Sequence, residues 1–333
     1  MNFRILLFLI GSCIAIAAHA QFPPPAGQPG TTAMHKDSIA FVAWATACSV
    51  QRGPQDISDP SLGLASVGVT ANVVGMPNGN VLSLGDGGIA TLTFAQPITN
   101  GPGWDFAVFE NGFNDTYLEL AFVEVSSNGT DFVRFPATSN TQTDTQVDGF
   151  GALDATLIDN LAGKYRAQYG TPFDLEELSG EPGLDVTAIT HVRIVDVVGC
   201  IQDAYATYDS HGNKVNDPWS TPFASSGFDL DGVGVVHHLA TGMDELFATR
   251  LNMQLFPNPA QQQGRLRFTL PAADRVRVTI TDATGRTVRT TVDAAHEAGT
   301  HDVPQDLSDL RAGLYFVAII TTDGRASRPL IVQ

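Results

Sequence analysis

The feature that most limits the folds open to this chain is its punctuation. Short runs of β-branched and aromatic residues recur along it, and each is cut off by Gly, Pro, Asn or Asp. Ile89-Ala90-Thr91-Leu92-Thr93-Phe94, Phe106-Ala107-Val108-Phe109, Leu118 to Val125, and Val192 to Val197 are such runs. Gly85-Asp86-Gly87-Gly88, Gly101-Pro102-Gly103 and Asn128-Gly129 are such breaks. With 32 Gly and 19 Pro in 333 residues, little room is left for long helices. Only Leu153 to Leu178 spaces its apolar residues more widely, which predicts a short helix or ordered excursion there. The pattern predicts an all-β chain.

The first residues bear on compartment. Met1-Asn2-Phe3-Arg4 is a short positive start, Ile5 to Ala18 is almost wholly apolar, and Ala18-His19-Ala20 is a small-residue cleavage site. Residues 1–20 therefore read as a signal peptide, handled by the Sec machinery and signal peptidase. The run is too short and wrongly flanked for a membrane span. Cys13 invites a lipoprotein reading, but the apolar run continues past it, whereas a lipidated cysteine is normally followed by a polar linker. Residues 21–36 are rich in Pro, Gly and Thr and predict a flexible N-terminus. Residues 37–238 read as a β-sandwich, 239–250 as a linker and 251–333 as a second, smaller sandwich. In an oxidising compartment Cys48 and Cys200 are either a disulfide, the favoured reading, or two buried thiols.

The formal net charge is −17, and the acidic excess lies before residue 251. Nucleic-acid binding needs clustered Lys and Arg, so it is excluded as a function class. The surplus suits extracellular solubility or cation binding.

In the last domain, Arg275-Val276-Arg277-Val278-Thr279-Ile280 alternates strictly, placing three aliphatics on one face. About seven short strands of this kind build a small immunoglobulin-like sandwich. Phe256-Pro257-Asn258-Pro259, Val278 to Arg286 with its turn at Gly285, Leu310 to Val317 with Gly313 and Tyr315, and the terminal Leu330-Ile331-Val332 occur in that order. These stretches resemble the type A C-terminal sorting domain of type IX secretion cargo in Bacteroidota. The resemblance implies export to the outer surface or medium via the periplasm, with the type IX translocon and its processing peptidase as partners. Pro329 departs from the family, which usually carries a basic residue there.

Within 37–238 there is no G-x-S-x-G elbow, no H-E-x-x-H helix, no P-loop and no dinucleotide-binding glycine fingerprint. His237-His238 is adjacent on the chain, so its side chains face opposite ways along a strand. The expectation is a protein that is not an enzyme. A glycoside hydrolase needs two facing carboxylates, for which Asp105, Glu110, Glu119 and Glu124 are the candidates, and it stands as the lesser alternative. Oxygen-rich loops fit calcium better. The candidate ligands are Glu110, Asn111 and Asp115 after one strand, Asp209, Asn213 and Asp217 in another loop, and Asp229 with Asp231 on a third segment. Plain turns compete with each, since Asp, Asn and Gly also form turns.

The domain resembles a Bacteroidota cell-surface family on Asp105 to Gly112, Phe122 to Gly129, Asn160 to Tyr165, Arg193 to Gly199, Asp217-Pro218-Trp219 and Phe228 to Gly234. That resemblance implies a jelly-roll-like sandwich of the carbohydrate-binding kind. Such domains hold ligands on loop aromatics, here Trp104, Tyr165, Tyr169, Tyr208 and Trp219, with Lys164 and Arg166 beside them. The leading expectation is a surface binding or adhesion protein for an extracellular glycan or other small ligand. The alternative is capture of a nutrient such as a corrinoid beside a TonB-dependent transporter.

Overall fold

The computed structural model describes residues 22–238, 250–283, 285–322 and 324–333. The expected leader 1–20, and all of the expected linker 239–250 but its last residue, lie outside them. Among the described residues no helix is long and apolar enough to cross a membrane.

The first domain carries β1 (Met34–His35), β2 (Ala43–Trp44), β3 (Ala47–Gln51), β4 (Leu82–Ser83), β5 (Ile89–Ile98), β6 (Phe106–Glu110) and β7 (Ala121–Ser126). These are followed by β8 (Val133–Arg134), β9 (Thr138–Ser139), β10 (Ile158–Asp159), β11 (Tyr169–Phe173), β12 (Ile189–Asp196) and β13 (Asp229–Val235). One sheet runs β1-β11-β6-β13-β2, with β4 on β13; the other runs β3-β5-β12-β7-β8. Every strand pairing is antiparallel.

The two sheets close on one apolar core. Alternate residues of β5 (Ala90, Leu92), β12 (Val192, Ile194) and β7 (Ala121, Val123, Val125) point inward from one sheet. Phe106 and Val108 of β6, with Leu230, Val233 and Val235 of β13, point inward from the other. β6 and β7 are buried along their whole length because their outer faces are covered too. Ala107 and Phe109 pack outward against Met34, Phe41 and Trp44, while Phe122 joins a satellite core with Leu118, Leu153 and Ile158.

Three expectations are revised. Residues 22–36 are not a loose tail: Ala26 and Met34 are buried, Phe22 N–H donates to the Thr156 carbonyl at 3.0 Å, and β1 pairs with β11. Burying Met34 in a satellite core overrides the local flexibility that Pro and Gly suggest. The 153–178 excursion is two 3-10 turns, Ala155–Leu157 and Leu175–Leu178, separated by β10 and β11. Both cysteines are free thiols. Cys48 sits opposite Leu92, which itself lies opposite Val192. Cys200 is reached only after β12 has run on through Asp196 and Val197, at about 3.3 Å per residue. That separation exceeds what a disulfide spans.

The second domain forms seven strands: β14 (Gln254–Phe256), β15 (Gln263–Leu270), β16 (Asp274–Asp282), β17 (Thr287–His296), β18 (Gly299–Asp306), β19 (Gly313–Ile320) and β20 (Arg325–Val332). They make two sheets, β14-β15-β18 and β17-β16-β19-β20, around Leu266, Phe268, Val276, Val278, Ile280, Val317 and Ile319. The sequence motif has a structural role here. Asn258 donates to the Pro329 carbonyl at 2.8 Å and accepts from Ile331 N–H at 2.9 Å, tying the entry of the domain to its last strand. Tyr315 donates its hydroxyl to the Arg311 carbonyl at 3.0 Å, and Gly285 takes a positive φ of 79° in the turn after β16.

Candidate functional site

The most distinctive surface feature of the first domain is a row of four aromatic rings drawn from three loops. After β6, Asn114 accepts from the N–H groups of Thr116 and Tyr117 at 2.8 and 2.9 Å. This Asx-type turn holds Phe113 and Tyr117 side by side, 5.4 Å apart and 24° from parallel. A second turn, in which Asp148 accepts from Phe150 N–H at 3.0 Å, presents Phe150 at 6.2 Å from Tyr117. The third loop presents Phe223 at 6.0 Å from Phe150. Phe113 and Phe150 are 76% and 71% exposed and Phe223 is 48% exposed, so three large apolar rings face solvent together. Contiguous exposed apolar surface of this kind marks interaction sites, whereas scattered single rings do not.

Behind Tyr117 lies a set of buried carboxyls. Glu110 ends β6 opposite Leu230, and Asp229 opens β13 opposite Ser83. Burial pushes the Glu110 carboxyl well above the ordinary range, and repulsion from Glu119 and Asp229 adds to it. Burial, with repulsion from Asp229, raises Glu119 to about 8, against a hydrogen bond from the Tyr117 hydroxyl. Asp229 is raised to about 6 by burial, tempered by hydrogen bonds from Ser83 and Asn111. Gly112 belongs to this corner by necessity. Its N–H donates to Glu110 Oε2 at 2.6 Å, and an added Cβ would lie 2.8 Å from that oxygen.

The structure does not gather the five expected aromatics. Tyr165 is buried, its hydroxyl 2.8 Å from Thr32 Oγ1, and Lys164 is buried with Nζ donating to the Ile158 carbonyl at 2.7 Å. Arg166 donates to the Ala26 carbonyl at 2.9 Å, pairs with Asp115 and lies over the Tyr169 ring at 4.8 Å. Trp104 packs on the Met34–Phe109 core, Trp219 donates to Asp86 at 3.0 Å, and Tyr208 is exposed apart from these. The actual row was legible only as Phe set among turn formers, in Gly112-Phe113-Asn114, Gly149-Phe150-Gly151 and Pro222-Phe223.

The expected calcium ligands also divide. Asn111 bonds Asp229, Glu110 lies opposite the inward-facing Leu230 and accepts from Gly112 N–H, and Asp115 is paired with Arg166. Asp209 accepts from Ser139, His211 and Asn213; burial alone would raise its carboxyl, and these bonds instead hold it below the ordinary range. It is the centre of a turn. Asp217 bonds Leu120 N–H, and Asp231 bonds the N–H groups of Asn78 and Gly79. Among the described residues no three His, Cys, Asp or Glu side chains converge as a metal-binding group. Of the hydrolase candidates, Glu124 is paired with Arg134 and Arg193, and Asp105 bonds Leu175 N–H and His237.

Comparison with known proteins places the second domain. Residues 254–333 match the family described as the secretion system C-terminal sorting domain. No curated protein matches the chain. Among solved structures, dimeric latent PorU from Porphyromonas gingivalis is 13% identical, with 77% of this chain and 19% of that one covered and a TM-score of 0.21. PorZ, a surface component of the type IX secretion system of the same organism, is 13% identical over 81% and 43% of the two chains, with a TM-score of 0.20. A β-glucuronidase from Ruminococcus gnavus is 13% identical over 90% and 45%, with a TM-score of 0.21. The chain thus spans less than half the length of each, and similarity at this level transfers neither fold nor activity. The family match is of another order, running through the seven strands and the Pro257-Asn258-Pro259, Gly285, Gly313 and Tyr315 positions: residues 254–333 are a secretion-system C-terminal sorting domain, and the chain is a protein exported to the cell surface or beyond.

Proposed function

We propose that this protein is a non-catalytic surface binding or adhesion protein of the type IX export route, and that its first domain holds a neutral glycan on the Phe113–Tyr117–Phe150–Phe223 row. The observation that carries the reading is the row itself. Rings with exposed faces suit the apolar faces of sugars, and the chain's net charge of −17 disfavours polyanions. Glu110 is only 1% exposed, which keeps it out of reach of a glycosidic bond and speaks against the hydrolase alternative.

The test is a glycan array with the mature protein, followed by calorimetry on the best ligand. Neutral oligosaccharides are expected to bind better than uronate or sulfated ones. Phe150→Ala is expected to weaken binding at least about tenfold, roughly 1.4 kcal/mol, without loss of fold. Binding of a corrinoid with no glycan retained would replace this reading with nutrient capture. Binding indifferent to both Phe113→Ala and Phe150→Ala would remove the row from it.

A further inference from the structure

The four-stranded sheet of the sorting domain, β17-β16-β19-β20, has a second face. Val276, Val278, Ile280, Val317 and Ile319 point into the core, so alternation turns Thr279, Thr281, Phe316 and Ala318 outward, with Arg325 and Ser327 beside them on β20. Thr279 and Thr281 are 2% exposed and Ala318 is 0% exposed, whereas the outer face of a small antiparallel sandwich ordinarily meets water. The first domain lies against this face. Thr281, Phe316 and Arg325 share a cavity of about 180 Å³ with Ala40, Trp104 and His237, and Ser38 donates its hydroxyl to the Gly285 carbonyl at 2.6 Å. An added Cβ at Gly285 would stand 2.5 Å from Ala40 Cβ, so this motif glycine permits the close approach.

The contact leaves polar groups unsatisfied. Arg325 Nε and Thr279 Oγ1 are buried with no hydrogen-bond partner, and burial pulls the Arg325 guanidinium below its ordinary value. Asp282, the carboxylate that lines the cavity, is taken by Arg286, and among the described residues no ion pair of the sorting domain includes Arg325. A cation taken out of water without a counter-charge is costly, so the first domain is a weak cover for this face and readily displaced. We propose that the outer face of β16-β19-β20 is the surface by which the type IX machinery holds the sorting domain, through a partner that sets a carboxylate against Arg325 and an acceptor against Thr279 within an apolar surround. Leu314 and Ile331, paired across β19 and β20 and each 45% exposed, continue the apolar part of the face into solvent. The first domain occupies the face until that partner displaces it. The surface goes beyond the glycan reading and rests only on the export address carried by residues 254–333.

Cells making full-length Arg325→Met are fractionated beside the wild type and the chain lacking residues 254–333, and the Tm and oligomeric state of each purified full-length protein are measured. Arg325→Met is expected to cut the amount reaching the surface or medium at least about tenfold without lowering Tm, because removing an unpaired cation relieves a cost instead of breaking a bond. Arg325→Lys is expected to keep most of the export. Ala40→Lys, which sets a like charge into the shared cavity from the first domain, is expected to leave export intact. Should Arg325→Met fail to fold, Leu314→Asn, at an exposed position of the same face, is read in its place, with a loss of at least about threefold. Export of the altered chain at the wild-type level overturns the proposal. So does loss of export in Ala40→Lys alone, which makes the first domain the functional partner, or a wild-type dimer that Arg325→Met turns into a monomer, which gives the face to a second copy. Export of the chain lacking residues 254–333 sinks the address itself, an outcome distinct from failure of this surface alone.

Discussion

Two side chains show how position in the fold resets chemistry that a residue's name suggests. Burial pushes the Cys48 thiol up to about 11, and Cys200 is also raised by burial, so both are poor nucleophiles. Mass spectrometry of the denatured, unreduced protein should count two alkylatable thiols per mature chain. Native alkylation at pH 8 should be far slower than that of a free cysteine. Lys164 is the opposite kind of case, a base lowered to about 8 by burial in spite of attraction from Asp159. Its folded value lies below its unfolded 10.5, so between pH 8 and 10.5 the unfolded chain binds more protons and stability rises with pH. The charged form costs on the order of 3 kcal/mol at neutral pH. Urea titrations at pH 8 and pH 10 should show that rise in the wild type and a smaller one in Lys164→Met.

At the scale of elements, the N-terminal segment is the least expected stabilising piece. β1 extends the β11-β6-β13 sheet at its edge, Met34 fills a satellite core, and Thr32 partners the buried Tyr165 hydroxyl. Deleting residues 22–36 should therefore lower the Tm of the first domain by roughly 10 °C, from the lost apolar burial and the orphaned hydroxyl. A loose tail would leave Tm unchanged in a melting experiment. The loops carrying Phe113, Phe150 and Phe223 behave oppositely, because their rings are exposed. Phe150→Ala should shift stability by less than about 0.5 kcal/mol while it weakens ligand binding.

Among the described residues, the main apolar core between the sheets of the first domain and the core of the sorting domain have no residue in common. Removing residues 254–333 should leave the melting of the first domain within about 2 °C of its value in the full chain. Export should fail, with the truncated protein retained in the cell fraction while the full chain reaches the surface or medium. Fractionation and immunoblotting read the second outcome independently of the first. Export of the truncated chain would show that the address lies elsewhere.

The amino-acid order by itself determined the all-β class, the two sandwiches and the sorting domain. Strand character, turn chemistry and alternation such as Val276, Val278, Ile280 are local properties, and the inward face they define is the face that is buried. Local composition misled at residues 22–36, where Pro and Gly suggested a tail and a long-range contact with β11 made it part of the sheet. It misled again at Tyr165 and Lys164, whose loop folds inward. Tertiary structure alone decided which side chains meet. Phe113, Phe150 and Phe223 are far apart along the chain, and no spacing rule joins them. The rings converge because antiparallel pairing of β6 with β13 brings the loop after β6 and the loop before β13 to one end of the sandwich, where Trp219 N–H donates to the Val147 carbonyl at 3.2 Å and ties in the Phe150 loop; register across strands is set by the core rather than by the loops.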